Sequence, residues 1–153
     1  MLMSYSITTK LLSKPKTKIA GSSGNNIVDY YKEAGPDYEF WSKDFNMHFG
    51  YALKKGDCWS RETMLQRMNE VVLKSLHIKK NQTIVDLGCG LGATLKYGTT
   101  NNPEVNFLGF TITPWQTKKA NNRARNLPNF HVQYADYNKL PLANESVHAA
   151  YGI

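Results

Sequence analysis

The spacing of apolar positions changes period along the chain. From Met64 to Leu76 they recur at helical spacing, with Met64, Leu65, Met68, Val71, Val72 and Leu76 on one face, which predicts an amphipathic helix. Ser60 is its predicted N-cap, and Trp59 just ahead is placed to pack on Met64 as a hydrophobic staple. Past residue 80 the pattern shortens to β-prone runs at Thr83 to Leu87, Asn106 to Phe110, His131 to Tyr134 and Val147 to Tyr151. Ala93 to Tyr97 predicts a short helix closed by Gly98. Thr113-Pro114 reads as an N-cap with Pro at the first helical position, opening a helix to about Asn126 that Leu127-Pro128 ends.

Strand, helix, strand, helix, strand predicts an α/β fold: a Rossmann-like, doubly wound, mostly parallel sheet with right-handed crossovers. Ahead of this unit, residues 27–80 predict a helical, aromatic cap segment. Tyr30, Tyr31, Tyr38, Phe40, Trp41, Phe45, Phe49 and Tyr51 crowd it, while Gly35-Pro36 and Gly50 are expected to cut it into short helical pieces. Residues 1–26, rich in Ser, Thr, Lys, Gly and Asn, predict a flexible basic tail, with structure beginning near Ile27. Residues 81–153 form the third division, the amino-terminal half of a nucleotide-type domain.

Composition narrows the class. The 153 residues are 41% hydrophobic, enough for one core, and 19 basic against 12 acidic side chains leave a net charge of +7. Lys10, Lys14, Lys16 and Lys18 place four of those seven charges in the tail, so the remainder is an ordinary solvated surface and no nucleic-acid partner is expected. A mean hydropathy of −0.48 and the lack of any long apolar run predict no transmembrane segment, and the first twenty residues lack a secretory core. Cys58 and Cys89 are too few for a disulfide scaffold and have no metal-ligand spacing, so no metal is expected and the location predicted is cytoplasmic.

The candidate chemistry sits where the first strand turns into its helix. Asp86-Leu-Gly88-Cys89-Gly90-Leu-Gly92 removes Cβ atoms where a ligand must approach the backbone, and the following helix N-terminus offers free N–H groups. Gly88, Gly90 and Ala93 also satisfy a relaxed dinucleotide fingerprint. A dinucleotide site wants an acid at the end of the second strand, or an Arg for the phosphorylated form. Here Gly109-Phe110-Thr111 stands in that place, and no acid lies between Glu104 and Asp136. Thr113 and Gln116 alternatively form a capping box for the helix they open.

Gly109-Phe-Thr111-Ile112-Thr113-Pro-Trp-Gln116, continued by Lys119-Ala120-Asn121, resembles the G-x-T-x-S-x-x-Q…A-N signature of sterol, cyclopropane-fatty-acid-type and natural-product methyltransferases of class I. Asp86 with Gly88, Gly90 and Gly92 matches the D-x-G-x-G-x-G form used for S-adenosyl-L-methionine. The segments Tyr30 to Trp41 and Met47 to Tyr51 resemble the aromatic lead-in of that subgroup, and Ala135-Asp136 with Leu140-Pro141-Leu142 its adenine-contacting stretch.

The resemblance implies methyl transfer from S-adenosyl-L-methionine to a small-molecule or lipid-like acceptor. It implies a cofactor set of Asp86, Gly88, Cys89, Gly90, Gly92, Thr111, Ile112, Gln116, Asp136, Tyr137 and Tyr31. In that set Asp86 orients the loop and reaches the amino group, Thr111 and Gln116 hold the ribose, and Asp136 and the Tyr137 amide hold adenine. Tyr30, Tyr31 and His48 are acceptor-side candidates, His48 as a base and the tyrosines as cation–π partners. No chemical role falls to the Cys89 thiol. A nicotinamide-dependent oxidoreductase half-domain and a non-catalytic remnant stand as alternatives. The fold implied has seven strands, the second and third on one side of the first and the fourth on the other; only four are legible, so a fragment is expected, its fourth strand an exposed edge open to self-association.

Overall fold

The computed structural model describes residues 22–53 and 60–153. The lysines of the predicted tail, Cys58 and the Trp59 staple lie outside the described residues. In chain order the elements are α1 (Ser22–Trp41), α2 (Arg61–Ser75), β1 (Thr83–Leu87), α3 (Ala93–Asn101), β2 (Asn106–Thr111), α4 (Pro114–Arg123), β3 (Phe130–Tyr134) and β4 (Ala149–Tyr151), with a 3₁₀ turn at Tyr137–Lys139.

The sheet is parallel throughout, as the alternation predicts, and its order β3-β2-β1-β4 is the one the resemblance implies. Two successive right-handed crossovers step outward from β1 to β3 and lay α3 and α4 on one face. The connection to β4 steps back across β1 and runs over the other face. This reversal opens a crevice at the carboxyl ends of β1 and β4, where a ligand meets backbone rather than a covering helix.

Period-two alternation divides the two faces. Ile84 and Phe107 point to the larger core, with Leu73 from α2, Leu95 from α3, Ala120 from α4 and Ala124 just past its end, and Phe130 and Val132 from β3. Val85, Leu108 and Phe110 point the other way, where Leu140, Leu142 and Val147 of the returning connection cover them. Complete burial of Phe107 and near-complete burial of Phe110 contribute roughly 2–3 kcal/mol each.

Several local expectations are corrected. Described structure begins at Ser22 rather than Ile27, and α1 runs unbroken through Gly35-Pro36. Gly35 is buried so close to the Trp115 indole that a Cβ there would stand 2.8 Å from the ring, and this contact ties α1 to α4. Gly98 does not close α3 but sits inside it. An added Cβ would be 2.6 Å from Phe107, so glycine here serves the close approach of helix to sheet.

Ser60 does cap α2, its hydroxyl accepting the Thr63 N–H at 3.2 Å. The buried face of α2 is Leu65, Asn69 and Leu73, with Val71 left 39% exposed, so the helix is rotated from the expected stripe. Asn69 is tolerated inside because both its amide nitrogen and its amide oxygen are hydrogen-bonded. The helix after Thr113 ends at Arg123, followed by a turn, and β4 begins at Ala149 rather than Val147.

Candidate functional site

The loop after β1 is shaped by three left-handed residues: Gly88 at φ 84°, Gly90 at φ 51° and Gly92 at φ 73°. The Gly88 and Cys89 amides both donate to the Phe110 carbonyl, at 3.0 and 2.9 Å, which fixes the loop to the end of β2. The three glycines are not equivalent. A Cβ on Gly88 would meet nothing within 4 Å, one on Gly90 would stand 2.9 Å from the Met47 sulfur, and one on Gly92 would strike Phe130 at 2.8 Å. Gly88 therefore faces open space and Gly90 the Met47 side chain at the cavity edge, whereas Gly92 is turned into the core as the N-cap of α3.

Above the loop lies a cavity of about 580 Å³. Its floor is Asp86, Gly88, Cys89, Gly90 and Thr94, and one wall is Thr111, Ile112, Thr113 and Gln116. Asp136, Tyr137 and Asn138 form a second wall; Tyr31 and Tyr38 of α1, with Phe45, Met47 and His48, form a third. Ten of the residues assigned to a cofactor line this one cavity; Gly92 does not. Tyr30 is mostly exposed and stands edge-on to Tyr31, with ring centroids 5.2 Å apart. Sequence reasoning did not single out Phe45, Met47, Thr94 or Thr113 as lining residues. Thr94 had no signal beyond its place in the first turn after the glycines.

Asp86, one residue before the end of β1, pairs with Gly109 and Tyr151 and is buried. None of the loop amides bonds its carboxylate, so the loop is held by the Phe110 carbonyl and not, as expected, by Asp86. Burial pushes the Asp86 carboxyl up to about 7, against a smaller opposing pull from the Tyr151 hydroxyl. That hydroxyl is itself buried without a hydrogen bond of regular geometry. Burial, with the Asp86 charge adding to it, also pushes the Cys89 thiol well up, which keeps it protonated and inert.

On the adjoining wall Thr111 donates to Gln116 Oε1 at 2.7 Å and accepts the Thr113 amide at 3.2 Å. Gln116 Nε2 reaches only the Met47 sulfur, 3.9 Å away, a weak acceptor that leaves its N–H groups available. The capping box is not formed, because Thr113 makes no side-chain cap and its buried hydroxyl has no partner. Asp136 uses Oδ1 to cap the 3₁₀ turn, accepting from the amide and side chain of Asn138 at 2.9 Å each, while Oδ2 makes no hydrogen bond.

His48 is engaged at both ring nitrogens, Nδ1 with the Phe49 carbonyl at 2.9 Å and Nε2 with Asn69 Oδ1 at 2.8 Å. No ring nitrogen is left free to take a proton from a ligand. Among the described residues no three His, Cys, Asp or Glu side chains converge as a metal site, and no helix is long and apolar enough to cross a membrane.

Residues 84–153 match the family described as a methyltransferase domain. An O-methyltransferase of Pyrenophora dematioidea is 36% identical over 95 residues, covering 60% of this chain and 35% of its own length. The fold is shared with the cyclopropane synthase MmaA2 from Mycobacterium tuberculosis, at a TM-score of 0.75 and 17% identity over 90% of this chain and 47% of that one. It is shared equally with the geranyl diphosphate C-methyltransferase from Streptomyces coelicolor, solved with Mg2+, geranyl diphosphate and S-adenosyl-L-homocysteine. There the TM-score is 0.72, with 19% identity over 89% of this chain and 55% of that one. The architecture is thus the α/β methyltransferase fold, and the chain spans about half the length of these solved relatives and about a third of the curated one.

Proposed function

We propose that the cavity over the glycine loop holds S-adenosyl-L-methionine and that the chain serves methyl transfer to a small-molecule or lipid-like acceptor. The observation that carries this reading is a set of polar groups with unmet bonding capacity around one open loop. A buried carboxylate without loop partners (Asp86), an amide N–H pair against a thioether (Gln116), an orphaned hydroxyl (Thr113) and a free carboxylate oxygen (Asp136) all border the same space. The Thr113 hydroxyl is buried without a partner, as polar atoms in folded proteins rarely are, while the Asp136 oxygen is open to solvent.

Each of these residues fits one part of the cofactor. Asp86 faces its amino group, and a cation there would pull the Asp86 proton off and make the carboxylate a partner rather than a burden. Gly88, Cys89 and Gly90 leave room for the methionine portion, with Tyr31 bordering its carboxylate. Thr111 and Gln116 are placed for the ribose hydroxyls without adding charge, Ile112 for apolar contact, and Asp136 with the Tyr137 amide for adenine. When bound, the sulfonium supplies a methyl carbon already activated for in-line displacement. The chain's own residues then have to align an acceptor and exclude water. Tyr31, Tyr38 and Phe45 supply aromatic faces suited to a cationic centre and an apolar acceptor. We place this activity in the cytoplasm, with β4, three residues long and paired only to β1 among the described strands, as an edge for self-association.

Titration with S-adenosyl-L-homocysteine and, separately, with NADH tests the reading. Saturable binding of the first and none of the second is expected. Binding of NADH alone would replace a methyl donor by a hydride donor in this site.

A further inference from the structure

Behind the His48 wall runs a chain of five polar side chains from three different segments. Ser42 donates from Oγ to Glu62 Oε1 at 2.8 Å, and Asn46 Nδ2 donates to Ser42 Oγ at 3.1 Å. Asn69 Nδ2 donates to Asn46 Oδ1 at 2.8 Å, and Asn69 Oδ1 faces both His48 Nε2, at 2.8 Å, and the Thr94 hydroxyl, at 2.7 Å. Ser42, Asn46 and Asn69 are at most 2% exposed, so no water competes for these bonds. The second Glu62 oxygen is anchored by the Lys43 amide at 3.1 Å, so this carboxylate is fixed and can only accept.

We infer that Glu62 sets the direction of the whole chain and thereby holds His48 as a double donor, a positioned imidazolium in the cavity wall rather than a base. The direction follows link by link. A serine hydroxyl has one proton, and a carboxylate at 2.8 Å claims it, so Asn46 must offer Ser42 its NH₂. Asn46 then presents its oxygen to Asn69, which answers with its own NH₂, leaving Asn69 Oδ1 to face His48 and Thr94. An oxygen there requires a hydrogen on Nε2. The Phe49 carbonyl requires one on Nδ1, so both nitrogens carry one.

Reversing Asn46 would force Ser42 to donate to it and set the lone pairs of Ser42 and Glu62 against each other, and reversing Asn69 would set its oxygen against that of Asn46 across a short, buried contact. The other ionisable groups facing the same cavity are Asp86 and Cys89 from the loop after β1, Tyr31 and Tyr38 from α1, and Asp136 and Tyr137 after β3. Asp86 and Asp136 are the carboxylates among them, and a cation opposite them is electrostatically consistent. The consequence is a positioning role: His48 contributes a fixed positive charge and takes no proton, so the cavity favours an acceptor that arrives ionised or that reacts at carbon. This holds whatever ligand the cavity binds.

The test is ¹⁵N NMR of the imidazole at about pH 7.5, where an unperturbed histidine is mostly neutral. His48 is assigned by subtracting the spectrum of His48→Gln, and the 153-residue chain is measured without ligand. Expected is the doubly protonated pattern in the parent chain, lost to a single-N–H tautomer in Glu62→Gln, whose side chain can donate as well as accept. Ser42→Ala, which cuts the next link while Glu62 stays, should lose it too. An unprotonated Nε2 in the parent chain overturns the inference, as does a pattern unchanged in both variants. Should either variant fail to give a folded circular dichroism spectrum, the parent spectrum alone decides.

Discussion

Two walls of one cavity are built on opposite principles. The sheet wall, from Asp86 through Thr111 and Gln116 to Asp136, leaves a carboxylate, a hydroxyl, an amide and a second carboxylate oxygen short of partners. The facing wall, at His48, is backed by Ser42, Asn46 and Asn69, whose polar groups are satisfied link by link. Unmet polar capacity points to what binds, and met capacity points to what holds the site in shape. The two walls should therefore respond differently to mutation: the first through ligand affinity and pH, the second through stability.

The largest expected effect is electrostatic and belongs to the sheet wall. Because burial raises the Asp86 carboxyl to about 7 from an ordinary 3.8, the folded chain keeps a proton that the unfolded chain has released between those pH values. Stability is fully present below about pH 4 and falls as pH rises to about 7, by roughly 4 kcal/mol at 1.36 kcal/mol per pH unit. Urea unfolding across that range should show the decline, and Asp86→Asn should flatten it. A parent chain with no such decline would break the comparison at its strongest point.

On the facing wall, Asn69→Ala removes an amide that Asn46, His48 and Thr94 all use. A loss of about 2–4 kcal/mol in unfolding free energy is expected from stranding these buried partners. A loss below about 1 kcal/mol would mean that the network is ornamental.

How much of this contrast is legible in the sequence depends on how local its causes are. The glycine loop, Asp86, Thr111, Gln116 and Asp136 sit within or beside short motifs, and parallel pairing follows from alternation, whereas the side on which β4 joins β1 comes only with the family resemblance. The polar network is invisible to the same reading. Ser42, Asn46, Glu62 and Asn69 are joined across 4 to 23 positions, and a buried asparagine on a helix looks like a break in an apolar stripe. Gly98 reads as a helix stop because its real cause, the Phe107 ring against the helix, comes from another element. Pro36 reads as a break for the same reason: local propensity gave way to the seating of Gly35 on Trp115.

Smaller effects sharpen the contrast further. Asp136→Ala should weaken S-adenosyl-L-homocysteine binding by about 1–3 kcal/mol in calorimetry, through loss of the proposed bond to adenine, beside about 1 kcal/mol of unfolding free energy from the lost cap of its turn. Unchanged affinity would reduce Asp136 to the cap of its turn. Thr113→Val exchanges an orphaned hydroxyl for a methyl group of similar shape. It should leave the free chain as stable or up to about 1 kcal/mol more so by thermal unfolding, since no bond is lost. A clear destabilisation would show that the hydroxyl has a partner in solution.

The central claim is that the unmet groups of the sheet wall are the contacts of an adenosyl ligand. A crystal structure grown with saturating S-adenosyl-L-homocysteine tests it most directly. The account predicts the amino group at Asp86, the ribose within hydrogen-bond reach of Thr111 or Gln116, and adenine at Asp136. Density for the ligand elsewhere, or a glycine loop still bare at saturation, would contradict it.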